Sequence, residues 1–164
     1  SADNMTQQLA ALSALLAVGE GQDELQAFET QWSHDRLVMN KWHSLQIVHA
    51  SPDSAVATAQ SLTERPDFDP RNPNRLRSVL GALSSNQAGF HRADGSGYRF
   101  LADWLIKTDA INPQTASRLS TGFQTGRRFD PARQTRIKTE LARVRATPDL
   151  SPDLTEMIDR MMGN

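Results

Sequence analysis

Four histidines are the residues of this chain best suited to hold a metal ion or to move a proton: His34, His43, His49 and His91. Two such ligands share one helix face when they are four residues apart, as in the HExxH motif. No pair has that spacing, since even His43 and His49 are six residues apart. We expect those two to lie on a helix surface or at the edge of the core, and His91 to lie in a loop without a second ligand. The sequence therefore predicts no metal site and no catalytic residue in this segment.

A glycine-rich loop, Gly95-Ser96-Gly97 in FHRADGSGYRFLADWL, is the other place where chemistry could occur. Ser96 lacks the flanking spacing and the preceding strand of a nucleophile elbow. The loop also lacks the third glycine or the GK[ST] ending of a phosphate-binding loop, and the alternating oxygen ligands of a calcium loop. We therefore interpret it as a connector, with a turn at Asp94-Gly95 and Ser96 as the N-cap of the next helix.

Arginine is the remaining residue type with binding chemistry, because fifteen of the eighteen basic residues are Arg. Gln114 and Arg118 are four residues apart on one predicted helix, opposite its apolar stripe, and Arg77 lies beside the stripe of another. Outward positions on successive helices can line the same concave face. The alternative is a solvated face with local ion pairs, such as Arg136 with Glu140 at i and i+4.

The composition is typical of a folded globular protein, with 38% hydrophobic and 23% charged residues, no cysteine and a net charge of −1. No apolar run is long enough to span a membrane. Residues 71–145 carry fourteen bases against five acids, which raises the alternative of nucleic-acid binding. That alternative is disfavoured because Phe100, Trp104 and Phe123 fall near apolar stripes, as core residues do.

Proline placement and apolar periodicity predict an all-α fold. Seven of the eight prolines follow Ser, Thr, Asn or Asp, which is the typical pair at a helix start; these pairs are Ser51-Pro52, Asp69-Pro70, Asn72-Pro73, Asn112-Pro113, Asp130-Pro131, Thr147-Pro148 and Ser151-Pro152. Apolar residues then recur at i, i+3, i+4 and i+7. We expect about nine or ten helices at a spacing of about 20 residues, arranged as an irregular α-solenoid of paired antiparallel helices like HEAT or armadillo arrays.

Four segments carry a family resemblance. They are WSHDRLVMNKWHSLQ, NPNRLRSVLGALSSNQAGFHRADGSGYRFLADWL, INPQTASRLS and RRFDPARQTRIKTELARV, which occur in this order. Together they resemble the C-terminal helical domain of bacterial aminopeptidase N, of the zinc alanyl aminopeptidase family, from Leu25 to Met161. The chain begins at Ser1 without Met, so we expect residues 1–164 to be a single helical domain excised from a larger enzyme.

The resemblance implies a function for the parent enzyme and a smaller role for this segment. The parent removes N-terminal residues from peptides with a zinc ion held by HExxH and a distant Glu, all absent here. This domain would cap the catalytic domain of the same chain, without activity of its own. The residues matching Arg77, Gln114 and Arg118 would line the internal cavity through which the peptide passes.

The expected partners are that catalytic domain and the peptide substrate, without nucleic acid or membrane, in the cytoplasm. The alternative is an independent α-solenoid scaffold that binds a protein or peptide on its concave face.

Overall fold

The computed structural model describes the backbone of residues 2–163 and the side chains of residues 4–163. Within that range every regular element is helical, which confirms the predicted all-α class. The proposed domain boundaries of 1–164 include residues 1 and 164, which lie outside the described residues.

The first half of the chain folds into α1 (Ala2–Ala17), α2 (Gln22–Trp32), α3 (Arg36–Val48) and α4 (Ala55–Thr63). A longer helix follows, in which α5 (Pro73–Leu76) and α6 (Ala82–Ser85) are joined without a break by a π turn (Arg77–Gly81). The second half contains α7 (Gln87–Phe90), α8 (Ser96–Asp109), α9 (Pro113–Ser120), a 3₁₀ segment (Thr121–Arg128), α10 (Pro131–Arg145) and α11 (Pro152–Met162). With α5 to α6 counted as one helix, the described residues contain ten α-helices, as predicted. None of the described helices is long and apolar enough to cross a membrane.

Four of the seven polar–proline pairs begin helices, so most of them are helix starts, as predicted. In each of them the polar side chain accepts a backbone N–H from the first turn and proline takes the next position; the N-caps are Asn72, Asn112, Asp130 and Ser151. The other three pairs, at Ser51, Asp69 and Thr147, lie in turns, and the helix expected from Ser51-Pro52 begins only at Ala55. The same polar-proline chemistry stabilises turns as well as first helical turns.

Ser96 is also not the N-cap that the sequence predicts. Gly95 occupies that position with a left-handed φ of 76°, and Ser96 is the first residue of α8. The Asp94 carboxylate accepts the Ser96 backbone N–H at 2.9 Å, so a neighbouring side chain already satisfies the amide. Glycine adopts this left-handed conformation without the steric cost that a side chain brings.

The helices stack as a solenoid does. In the C-terminal half, α8 packs against both α9 and α10, and α11 packs against both α9 and α10. Consecutive helices therefore form pairs, and alternate helices lie side by side in two layers. This arrangement confirms the predicted α-solenoid class and leaves one helix layer free to present polar side chains.

Aromatic side chains fill the core between the layers. The Phe90 ring centroid lies 5.2 Å from that of Tyr98 and 5.9 Å from that of Phe123. Trp104 packs edge-on against Phe68 at 5.4 Å, and Phe100 is partly buried against the same core. These rings stabilise the fold through burial of apolar area, so they do not form the exposed stacking face that a single-stranded nucleic acid needs.

Candidate functional site

An open groove of about 390 Å³ lies between the longer α5–α6 helix and the end of α9. The π turn and α6 form one wall, and the last residues of α9 with the 3₁₀ segment form the other. Two arginines, Arg77 and Arg118, stand on opposite walls, and most of the remaining lining residues are glycine, serine or threonine. The small residues leave the two guanidinium groups as the dominant chemical feature.

Two of the three residues singled out from the sequence meet in this groove. Arg77 and Arg118 both line it and are both exposed. Gln114 is exposed in the first turn of α9 but does not line the groove. Since it precedes Arg118 by four residues, it lies on the same side of α9 and one turn away.

The charge of the groove is positive because no acidic residue lines it. The Arg77 guanidinium donates to the neutral Asn74 side chain, and Arg118 forms no ion pair within the part of the chain that the structure describes. The charged side chains that line the groove are therefore two guanidinium groups and no carboxylate. Positive charges that line one groove without a carboxylate raise the local concentration of anions.

Several other arginines have structural roles, because they form ion pairs or hydrogen bonds with other parts of the fold. Arg65 pairs with Glu29 and Asp67, and Arg75 is buried, with its Nε donating to Asn40 Oδ1 at 2.7 Å. Arg143 pairs with Asp103 at 2.8 Å and with Glu140 at 2.7 Å.

The ion pair between Arg143 and Glu140 shows that the predicted contact between Arg136 and Glu140 is wrong. Arg143 holds Glu140 while also reaching α8, and Arg136 instead donates to the Asp94 carbonyl oxygen at 3.3 Å. Glu140 and Arg143 thus form an i, i+3 pair on α10, and Arg143 also connects α10 to Asp103 of α8.

The shape of the groove depends on two departures from regular α-helix. The π turn inserts an extra residue per turn at Arg77–Gly81, a feature that is frequent at functional sites. On the facing wall, a Cβ added to Gly122 would lie 2.5 Å from Ser84 Oγ, closer than real atoms approach. Only glycine at position 122 therefore allows the 3₁₀ segment to pack this closely on α6.

A buried histidine lies directly behind the second wall. His91 is only 2% exposed; its Nδ1 lies 2.6 Å from the Tyr98 hydroxyl and its Nε2 lies 2.8 Å from Thr125 Oγ1. Burial, followed by the charge of Arg133, lowers the pKa of His91 to about 4, so its ring is neutral at pH 7. Burial also raises the pKa of Tyr98 to about 12, so the phenol keeps its proton. Sequence reasoning missed this contact, because nothing local links His91 to Thr125.

The remaining histidines have separate structural environments. His43 is fully buried with Nδ1 2.6 Å from the Met39 carbonyl oxygen, and burial lowers its pKa. His49 Nε2 lies 2.8 Å from Ser13 Oγ, and His34 stacks on Trp32. Among the described residues no three His, Cys, Asp or Glu side chains come together as metal ligands. The side chains present here thus do not fit a zinc site.

Comparison with known proteins assigns the chain to a family. Residues 1–163 match the family model described as a domain of unknown function (DUF3458_C) with ARM repeats. The chain belongs to this DUF3458_C family. The armadillo-type repeat of the family agrees with the layered helix pairs described above.

Relatives of this DUF3458_C domain are aminopeptidases. It is 44% identical over 165 residues to aminopeptidase N of Haemophilus influenzae and 39% identical over 165 residues to that of Escherichia coli. Each alignment covers 99% of this chain and 19% of the relative, so the chain spans about a fifth of their length. The predicted resemblance to the C-terminal helical domain of aminopeptidase N is confirmed.

A solved structure supports the same assignment. The crystal structure of Legionella pneumophila aminopeptidase A in complex with aspartic acid superposes with a TM-score of 0.85 at 25% identity. The match covers 98% of this chain and 20% of that one. The DUF3458_C domain therefore has the fold of one segment of a larger aminopeptidase.

Proposed function

We propose that residues 1–164 form a single non-catalytic domain of a longer zinc-dependent aminopeptidase, which caps the catalytic domain and lines the path of the peptide. The observation that carries this proposal is the groove with Arg77 and Arg118 on facing walls and no carboxylate in its lining. A peptide that is shortened from its N-terminus always keeps its C-terminal carboxylate. Such a groove binds that carboxylate while the other end of the peptide reacts elsewhere.

The role of this domain is binding and orientation, not bond cleavage. Guanidinium groups hold a carboxylate through paired, charge-assisted hydrogen bonds. Holding the far end of the substrate stabilises the bound substrate and the transition state alike, so it affects KM and not kcat. In the parent enzyme zinc would activate the attacking water; the ligands of that zinc ion would come from another part of the parent chain. We place Gln114 at the outer end of the same binding surface.

The proposal includes the cellular compartment and the partners of the parent enzyme. The absence of cysteine suits a reducing compartment, and we place the parent enzyme in the cytoplasm. The catalytic domain of the same chain is its partner, and neither nucleic acid nor membrane is required. The alternative of an independent scaffold has less support, because the relatives that match this chain are aminopeptidases.

The proposal is tested by Arg118→Ala in the full-length enzyme, with an alanyl tripeptide and its C-terminal amide as substrates. We expect KM for the free acid to rise about 5-fold to 10-fold, which corresponds to about 1–1.4 kcal/mol. The kcat and the KM for the amide should stay within about 2-fold, because the amide carries no charge for the groove to bind.

The matched control is Arg160→Ala, because Arg160 is exposed on α11, pairs with Glu156 and does not line the groove. The control should leave all constants unchanged. Equal loss on acid and amide, or a fall in kcat alone, would contradict the proposed role of the groove.

A further inference from the structure

The 3₁₀ segment that forms one wall of the groove is held from behind by His91. Besides the contact with Thr125, the His91 ring stacks on Phe129 with centroids 4.0 Å apart, just beyond the end of the segment. The His91 carbonyl oxygen also accepts the Arg133 Nε–H at 2.6 Å, at the start of α10. A 3₁₀ helix has poorer internal hydrogen bonds than an α-helix, so such outside contacts decide where it lies.

The hydrogen bonds around His91 have a defined direction. Thr125 Oγ1 donates to the Gly122 carbonyl oxygen at 3.1 Å, so its only proton is already used. It must therefore accept from His91, which places the imidazole proton on Nε2. His91 Nδ1 is then an acceptor, and the Tyr98 hydroxyl donates a hydrogen bond to it at 2.6 Å. The chain of donors runs from Tyr98 through His91 and Thr125 to Gly122.

This series of hydrogen bonds ends at the groove, because Thr125 and Gly122 both line it. The Thr125 hydroxyl is occupied on both sides by protein partners, so it has no proton to offer a bound molecule. The Thr125 hydroxyl therefore affects the groove by fixing the position of this wall. Gly122 is also the residue whose close contact with Ser84 sets the distance between the two walls.

We propose that His91 is a positioning residue for the groove, which acts through Thr125 to fix the wall that carries Gly122. This inference rests on the proposed function of the groove, and it adds that substrate affinity depends on a buried side chain that does not touch the substrate. Phe129 and Tyr98 hold the ring in place on its two sides, and the neutral Nε2–H tautomer is the form that supports the wall.

The test uses the full-length enzyme with the alanyl tripeptide and its amide, and three variants. His91→Phe keeps the aromatic stack and removes both ring hydrogen bonds; Thr125→Val keeps the shape and removes the hydroxyl; Thr125→Ser keeps the hydroxyl. We expect the first two to raise KM for the free acid by about 3-fold to 5-fold with kcat unchanged, and Thr125→Ser to remain within about 2-fold. The double variant His91→Phe, Thr125→Val should be no worse than the stronger single one, because both remove the same contact.

His43→Phe is the control for a purely structural role. His43 is also fully buried, with its Nδ1 2.6 Å from the Met39 carbonyl oxygen, but it does not line the groove or contact His91, so its replacement should lower the melting temperature without changing KM. The inference is overturned if His91→Phe and Thr125→Val leave KM unchanged, if their effects add fully, or if the acid and the amide are affected alike. Arg118→Ala, measured in parallel, separates the two proposals. An effect of Arg118→Ala without one at position 91 or 125 contradicts only this inference, whereas no effect of Arg118→Ala contradicts the proposed function itself.

Discussion

Arg77 and Arg118 lie on different helical elements, yet both line one groove whose lining contains no acidic residue. Elsewhere in the fold, arginines such as Arg65, Arg143 and Arg145 are paired with carboxylates. A protein has little structural reason to leave two guanidinium groups together without a counter-charge, since like charges repel. The binding role proposed for Arg77 and Arg118 rests on their place in the groove lining.

Stability should fall between pH 6.5 and pH 4 because of His91. Its folded pKa of about 4 lies below the ordinary value of 6.5, so in this window the unfolded chain binds the proton more readily. The stabilisation is complete above pH 6.5 and is lost as the pH falls through 4, and it amounts to about 3 kcal/mol. Arg133 is the charged group that adds to this shift.

Urea unfolding of the chain at several pH values measures this dependence, with His91→Phe as the comparison. The variant should lose the part of the pH dependence that the wild type shows in this window, although buried His43 leaves a remainder of the same sign. Identical slopes for the wild type and the variant would contradict the burial of a neutral His91.

Gly122→Ala should separate the two walls of the groove. The new methyl group would lie 2.5 Å from Ser84 Oγ and 3.3 Å from Leu101 Cδ2, so the 3₁₀ segment must shift. We expect a loss of about 1–3 kcal/mol in the free energy of unfolding, as for overpacked cores.

Gly81→Ala is the matched control, because its added Cβ would meet nothing closer than 4.0 Å. Alanine at position 81 should be neutral or slightly stabilising. A neutral Gly122→Ala in thermal unfolding would mean that the walls are not in close contact.

Asp109 should be a strong stabilising residue of the C-terminal half. Its buried carboxylate accepts the Ser151 backbone N–H at 2.8 Å and the Ser151 hydroxyl at 2.5 Å, and Ser151 in turn caps α11. Asp109→Ala leaves both donors without a partner and should cost about 2–4 kcal/mol. Asp103→Ala is the comparison, because its ion pair with Arg143 is half exposed and should contribute less than about 1 kcal/mol. Similar losses for both variants would contradict the capping role.

The isolated chain should not hydrolyse alanyl substrates, with or without added zinc. The described residues contain no group of three metal ligands and the sequence has no HExxH motif. Circular dichroism must first show the helical fold, so that inactivity is not the result of unfolding. Turnover that depends on zinc and increases with the amount of folded chain would show that this segment holds catalytic residues of its own.

Local chemistry explains how much of the fold could be predicted from the sequence. Asn72, Asn112, Asp130 and Ser151 start helices because a short polar side chain and a following proline act within one turn. Ser51 has the same pair, but the chain turns there and α4 begins only at Ala55. The same polar–proline pair thus occurs both in turns and at helix starts. The packing of the residues that follow decides which of the two forms.

The groove was harder to predict than the helices. Helical spacing places Arg77 and Arg118 on outward faces, but the π turn changes the direction of residues after Arg77, and no sequence pattern announces it. Gly122 and Thr125 have no chemical signal of their own, and their importance comes from contacts with Ser84 and His91. Such contacts join distant parts of the chain and appear only after folding.

The most direct test of the central claim is a crystal structure of the full-length enzyme with a non-cleavable peptide analogue bound. We expect the groove to open into the enclosed space next to the catalytic domain, and the C-terminal carboxylate of the analogue to lie within about 3 Å of the Arg118 or Arg77 guanidinium. A groove that faces the outer surface of the enzyme, or a bound analogue whose carboxylate contacts neither arginine, would contradict it.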